Sequence, residues 1–211
     1  MQHAAEVAQH LLRIKAVKLS PQAPFTWASG MLSPIYCDNR IALSHPDTRN
    51  FLKRCLAEAA GFFRPFETVA GVATAGIAHG VLLADLLDLP FAYVRAEAKS
   101  HGRRNRIEGE IPIGSRVLVV EDLISTGGSS LKAIDALSDA GHEAVGVLAI
   151  FQYGFAQATA AFAGRRLPLV TLSDYDTLIR EAHACGYVEA SDLKQLEAWR
   201  ANPDGWGALY A

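Results

Sequence analysis

One stretch limits the possible folds of this chain more than any other. Val117-Leu118-Val119-Val120 is apolar without alternation and runs straight into Glu121-Asp122, then into Leu123-Ile124-Ser125-Thr126-Gly127-Gly128-Ser129-Ser130. A strand with one face in water alternates apolar and polar residues; one covered by helices on both faces does not. Beyond the turn, Leu131, Ile134 and Leu137 return at helical spacing. The stretch reads as a buried parallel strand, a turn and a helix, and it sets the fold class as α/β with a parallel sheet.

The same stretch carries chemistry. Ligands of open α/β sheets bind beyond the carboxyl ends of the strands, where this strand delivers two carboxylates. Free amides at a helix N-terminus, flanked by small residues and hydroxyls, cradle phosphate. A Walker loop is excluded because the turn has no lysine. A dinucleotide fingerprint is excluded because Glu121 and Asp122 stand where its glycines would follow the strand. What remains is a pair of carboxylates for sugar hydroxyls beside a turn for a sugar phosphate. Ser129 or Ser130 as a helix cap would explain the turn but not the acids.

Strand-like and helix-like runs alternate through the rest of the chain. Helices are expected at 4–16, from His45-Pro46-Asp47 onward, and at 76–87, 129–139, 174–184 and 191–201. Strands are expected at 35–37, 68–72, 91–95, 116–121, 144–151 and 167–172. The stretch 96–114 breaks the rhythm, with Glu97, Lys99, His101, Arg103, Arg104, Arg106, Glu108 and Glu110, three glycines and few apolar residues. A structureless segment that long inside a domain is usually a lid or a binding loop. A charged surface hairpin is the alternative, and the position between two sheet strands favours the lid.

Composition narrows the function. Twenty Lys and Arg against 22 Asp and Glu give a net charge of −2, so no bulk attraction to nucleic acid or to an anionic membrane is expected. Cys37, Cys55 and Cys185 have neither disulfide-framework nor metal-ligand spacing, which suits a reducing compartment. Residues 1–19 mix charged with apolar side chains, unlike a signal peptide. No apolar run approaches the roughly 20 residues that cross a bilayer. A soluble, cytoplasmic protein is expected. His3, His10, His45, His79, His142 and His183 lack partners at metal spacing and are expected as surface or capping residues. Trp199, Trp206 and Tyr210 are expected to pack in a core or an interface.

Three motifs together resemble a known family. Residues 119–129, Val-Val-Glu-Asp-Leu-Ile-Ser-Thr-Gly-Gly-Ser, resemble the phosphoribosyl-diphosphate motif of type I phosphoribosyltransferases. Phe25-Thr26-Trp27-Ala28-Ser29-Gly30, with Ser33-Pro34-Ile35-Tyr36-Cys37-Asp38-Asn39-Arg40, resembles the N-terminal motif of orotate phosphoribosyltransferases. Tyr93-Val94-Arg95-Ala96-Glu97-Ala98-Lys99-Ser100-His101-Gly102, with Ile107-Glu108-Gly109, resembles that family's mobile catalytic loop. The three stand in the family's order and spacing over roughly residues 20–155. The first alone would fix only the superfamily.

The resemblance implies a type I phosphoribosyltransferase fold: a parallel-sheet core flanked by helices under a small N-terminal hood. It divides the chain into a helix and hood segment (1–44), a core with a mobile loop at 96–114 (45–185) and a C-terminal helix and tail (186–211). It implies transfer of 5-phosphoribose from 5-phospho-α-D-ribose 1-diphosphate to orotate, in pyrimidine (UMP) biosynthesis. Glu121 and Asp122 would be catalytic and hold the ribose 2′- and 3′-hydroxyls, within a binding run that includes Leu123 and Ile124. Ser125, Thr126, Gly127, Gly128 and Ser129 would bind the 5′-phosphate, and Ser125 would also contact orotate. Arg95, Lys99 and His101 would bind the diphosphate, with Lys99 and His101 catalytic across the interface of a homodimer. Backbone groups around Tyr36 and Cys37 would lie near the pyrimidine. Mg²⁺ would be held mainly by the diphosphate substrate, with no protein ligand.

Some members carry lysines at the positions of Ala28, Ala75 and Ala96. A transferase for a purine or for uracil fits the N-terminal motif less well. A ligand-sensing regulator on the same fold would need a DNA-binding segment, and fewer than 25 residues precede the Phe25 motif.

Overall fold

The apolar run at 117–120 lies at the centre of a six-stranded sheet, and each of its four side chains is fully buried. The computed structural model describes residues 3–27, 29–95 and 106–207. In chain order the elements begin with α1 (Ala4–Arg13), β1 (Val17–Leu19), β2 (Phe25–Thr26), β3 (Leu32–Ser33), β4 (Ile35–Cys37) and α2 (Pro46–Ala60). They continue with β5 (Thr68–Val72), α3 (Ala75–Leu87), β6 (Phe91–Val94), β7 (Ile107–Glu108), β8 (Arg116–Ile124) and α4 (Gly128–Asp139). The last are β9 (Glu143–Gln152), α5 (Ala156–Gly164), β10 (Leu169–Asp174), α6 (Tyr175–Ala184), α7 (Ala190–Ala201) and α8 (Pro203–Trp206). Pro46 sits in the first turn of α2, where its missing N–H costs nothing, and the Asp174 carboxylate caps α6 by accepting from the Thr177 amide at 2.8 Å.

The strand order is β10-β9-β8-β5-β6-β7, parallel throughout except for β7, which pairs antiparallel with β6. Alternate residues of each central strand serve opposite faces. Leu118, Val120, Leu148 and Ile150 join one apolar cluster with α1, α2, α3, α6 and α7. Val117, Val119, Val147 and Ala149 join the other with α4 and α5. Both faces are covered, which is why the sequence of these strands does not alternate. The first cluster runs from Val7 to Trp206, so helix α1, the sheet and the C-terminal helices share one core.

Several elements differ from the sequence expectation. Helix α1 stops at Arg13 instead of Ala16, because Lys15 turns to φ 58° and sends the chain into β1, which pairs antiparallel with β4. The hairpin of β2 and β3, strand β7 and the alanine-rich α5 carry no clear periodicity and were not expected. Strand β7 also shortens the expected 96–114 lid. Ile107 and Ile111 are buried, and Arg95 and Arg106 bond across the β6–β7 pair, Arg95 N to Arg106 O at 2.8 Å. Residues 106–114 therefore finish the sheet edge, in part the hairpin weighed as the alternative. Residues 96–105, with Lys99 and His101, lie outside the described residues.

Candidate active site

The sheet creates a crevice at one place. Strand β8 pairs with β5 as far as Val120 and with β9 as far as Ile124, so from Glu121 onward its β5 side is open. The crossover from β5 leads away through α3 to β6, whereas that from β8 leads the other way through α4 to β9. This is a topological switch point, where open α/β sheets bind ligands. A cavity of about 260 Å³ lies there, lined by Ala73, Thr74 and Ala75 after β5 and by Glu121, Asp122, Leu123, Ser125, Thr126, Gly127, Ser129 and Ser130 after β8.

The two walls approach closely because one residue has no side chain. A Cβ on Gly76, in the first turn of α3, would stand 2.5 Å from the Val120 carbonyl oxygen and 3.3 Å from Glu121 Cα. Glycine here lets the start of α3 lie against the acid strand. At the opposite wall, Gly127 takes φ 80° at the N-cap of α4, and a Cβ there would meet the Phe162 ring at 2.8 Å. Among the described residues no side chain caps α4, so the alternative reading of Ser129 or Ser130 as a helix cap does not hold. The first amides of the helix are left free for an anion, and the Ser130 hydroxyl, buried beside them, has no partner among the described residues.

The acids differ from each other. Glu121 is 5% exposed, and its Oε1 accepts from the Asp122 amide at 3.1 Å. Burial, and then the charge of Asp122, push its carboxyl well above the usual range. Burial also raises Asp122, but hydrogen bonds from Glu121 and the backbone and the charge of Arg40 oppose the rise. Of the pair, Glu121 is therefore the readier to hold a proton and Asp122 the readier to carry charge. Asn39 ties this strand to the N-terminal segment by donating from Nδ2 to the Asp122 carbonyl at 2.8 Å. The neighbouring Asp38 holds Arg40 through two bonds, at 2.7 and 2.8 Å. Burial, followed by the charges of Asp122 and Asp38, pushes the Cys37 thiol up, so Cys37 stays protonated at this wall.

The family of the phosphoribosyl transferase domain matches residues 47–161, which contain both walls of the crevice. An orotate phosphoribosyltransferase of Listeria monocytogenes is 53% identical over 203 residues, covering 96% of this chain and 97% of that one. The chain belongs to the orotate phosphoribosyltransferases. One of this family from Bacillus subtilis is 51% identical over 199 residues, covering 94% of this chain and 92% of that one. The crystal structure of an orotate phosphoribosyltransferase from Aeropyrum pernix superposes with a TM-score of 0.75 at 31% identity, covering 87% of this chain and 99% of that one.

Of the residues expected at an orotate phosphoribosyltransferase site, the crevice gathers Glu121, Asp122, Leu123, Ser125, Thr126, Gly127 and Ser129. Gly128 opens α4, and the Ile124 side chain is buried, its carbonyl accepting from the Tyr153 amide at 3.1 Å. Arg95 directly follows β6, one strand from β5, with its guanidinium 3.4 Å from the Glu108 carboxylate. Ala28, Ala96, Lys99 and His101 lie outside the described residues.

Sequence reasoning missed Thr74, Ser130 and Asn39. The signal for the first was present: Val72-Ala73-Thr74-Ala75-Gly76 repeats the pattern of a buried strand, small residues and a glycine at a helix start. Against expectation, His79 is neither surface nor cap. It is 1% exposed, burial lowers it to about 4, and its bond to the Asn39 backbone opposes that fall. A second, larger cavity of about 920 Å³ shares Ser125 and Thr126 and extends between α6, α7 and Met31.

Proposed function

We propose that the crevice between β5 and β8 binds 5-phospho-α-D-ribose 1-diphosphate with its 5′-phosphate on the α4 amides and its ribose hydroxyls on Glu121 and Asp122. The protein transfers the 5-phosphoribosyl group to N1 of orotate, giving orotidine 5′-monophosphate and diphosphate in pyrimidine biosynthesis. The observation that carries the reading is the open β5 side of β8, which places two carboxylates and the free start of α4 in one cavity.

The residues act chiefly by holding. As the diphosphate leaves, the ribose ring gains oxocarbenium character, and the Asp122 carboxylate lies where it can offset that charge. Glu121, the readier of the two to hold a proton, can then donate to one hydroxyl oxygen while Asp122 accepts from the other. The amides from Gly127 to Ser130 fix the phosphate, and with it the distance from the anomeric carbon to the base. Arg95, Lys99 and His101 would stabilise the charge on the departing diphosphate, the last two from the other subunit of a homodimer. No covalent protein nucleophile is needed.

The only carboxylates lining the crevice among the described residues are Glu121 and Asp122, an oxygen donor set that suits Mg²⁺ bound through one or two carboxylates, waters and substrate phosphates. Such an ion would neutralise diphosphate charge, with most of its ligands from substrate. No helix among the described residues is long and apolar enough to cross a membrane, and we place the activity in the cytoplasm.

The test is base consumption with 5-phospho-α-D-ribose 1-diphosphate and Mg²⁺, with orotate beside uracil, adenine and hypoxanthine. Loss of orotate with equimolar release of diphosphate is expected. Consumption of another base without orotate would overturn the assignment.

A further inference from the structure

Opening the β5 side of β8 leaves the Asp122 carbonyl without a strand partner. The Arg116 carbonyl accepts from the Glu67 amide, just ahead of β5, at 2.9 Å. Carbonyls along a strand alternate between its two neighbours, so that of Asp122, an even number of residues on, is directed to the same side. Strand β5 pairs with β8 only as far as Val120, and a backbone carbonyl away from water needs a donor. Asn39 supplies it from another part of the chain, its Nδ2 donating to the Asp122 carbonyl at 2.8 Å. Three features fix that amide. Asn39 is wholly buried. Its Oδ1 accepts from the Cys37 thiol at 3.5 Å, which leaves Nδ2 as the atom facing Asp122. The 3₁₀ turn that it opens, Asn39–Ser44, packs on α3 and β8, and the Asp38 carboxylate caps that turn by accepting from the Arg40 amide at 3.1 Å.

We propose that Asn39 is a positioning residue for the transfer: by bonding the Asp122 backbone where β5 no longer does, it fixes the direction of the Asp122 carboxylate in the crevice. The assignment rests on the reading of Asp122 as a ribose-holding group given above. Asn39 does not line the crevice, so it acts on the substrate through Asp122 and not by contact. The Asp122 amide is held from the neighbouring side chain, by Glu121 Oε1 at 3.1 Å. Asn39 is thus the tie that comes from outside the strand, and it links the N-terminal segment to the geometry of the acid pair.

Asn39→Leu keeps the volume and removes the donor. A misplacement of about 1 Å can cost on the order of a hundredfold in rate, and the smaller shift from one lost bond should cost about tenfold in kcat/KM for the diphosphate substrate. The decisive readout is a double-mutant cycle with Asp122→Asn in the intact enzyme. In that background Asn39→Leu should change the rate less than about threefold, because the carboxylate it directs is already gone. A merely structural residue would cost the same factor in both backgrounds, as independent sites do. Equal factors in the two backgrounds, or a wild-type rate in Asn39→Leu, overturn the assignment. If circular dichroism shows that the leucine variant does not fold, Asn39→Ala run through the same cycle decides by the same criteria. If Asp122→Asn is impaired and the Asn39 variant is not, only the role of Asn39 fails. If Asp122→Asn itself turns over like wild type, the ribose reading fails and the proposal falls with it.

Discussion

Gly76→Ala separates the stability of this protein from its activity. The added methyl would lie 2.5 Å from the Val120 carbonyl oxygen, against an ordinary contact of 3.4 Å, so α3 and β8 must part by about 0.9 Å. Overpacking of this kind costs roughly 1–3 kcal/mol. The residue is in a helix with no positive φ, and alanine there gains about 1 kcal/mol over glycine. The net destabilisation is then only about 0–2 kcal/mol, a fraction of a typical folding free energy. The crevice has no such compensation. Its walls, Ala73 to Ala75 and Glu121 to Leu123, separate by nearly the full shift, and a misplacement of about 1 Å can cost on the order of a hundredfold in rate. Denaturant unfolding and kcat/KM for the diphosphate substrate, measured on the same preparation, should show a folded protein with about hundredfold lower activity. Activity within threefold of wild type would refute the claim that contact between α3 and β8 sets the site.

Other perturbations reach different parts of the account. Lys99→Ala should lower turnover about a hundredfold, the loss from removing one group that stabilises transition-state charge. If the loop serves the neighbouring subunit, mixing Lys99→Ala with Asp122→Asn protein should recover activity in heterodimers. No recovery after confirmed subunit exchange would place both residues in one subunit's site. His79 titrates near 4 when folded and near 6.5 when unfolded, so its contribution is fully present above pH 6.5 and is lost as pH falls to about 4. At about 1.36 kcal/mol per pH unit, this amounts to roughly 3 kcal/mol. His79→Gln should flatten the stability profile over that window, and an unchanged profile would mean that other groups drive the acid loss.

The parallel core and half of the crevice were legible because they depend on local pattern. A continuous apolar run means two covered faces, and Glu121-Asp122 followed by Ser-Thr-Gly-Gly leaves few alternatives. The remaining features depend on tertiary pairing. The two-residue strands of the β2–β3 hairpin and β7 exist only because a partner lies beside them. The charged look of 96–114 hid Ile107 and Ile111, which bury against the sheet edge. His79 looked like a surface histidine because no spacing rule indicates that α3 turns it toward the Asn39 backbone. Asn39 itself reaches a strand 83 positions away. Separations of that length leave no periodic trace.

The role of the acid pair is tested most directly by turnover of the Glu121→Gln/Asp122→Asn double variant. Both replacements keep shape, Asp122→Asn removing the charge and Glu121→Gln the titratable carboxyl, and relieving a buried acid should leave the fold intact by circular dichroism. The lost charge-assisted contact of Asp122 is worth about 1.5–3 kcal/mol, so orotate consumption should fall on the order of ten- to a hundredfold or more. Wild-type turnover in the folded double variant would contradict the role assigned to the crevice.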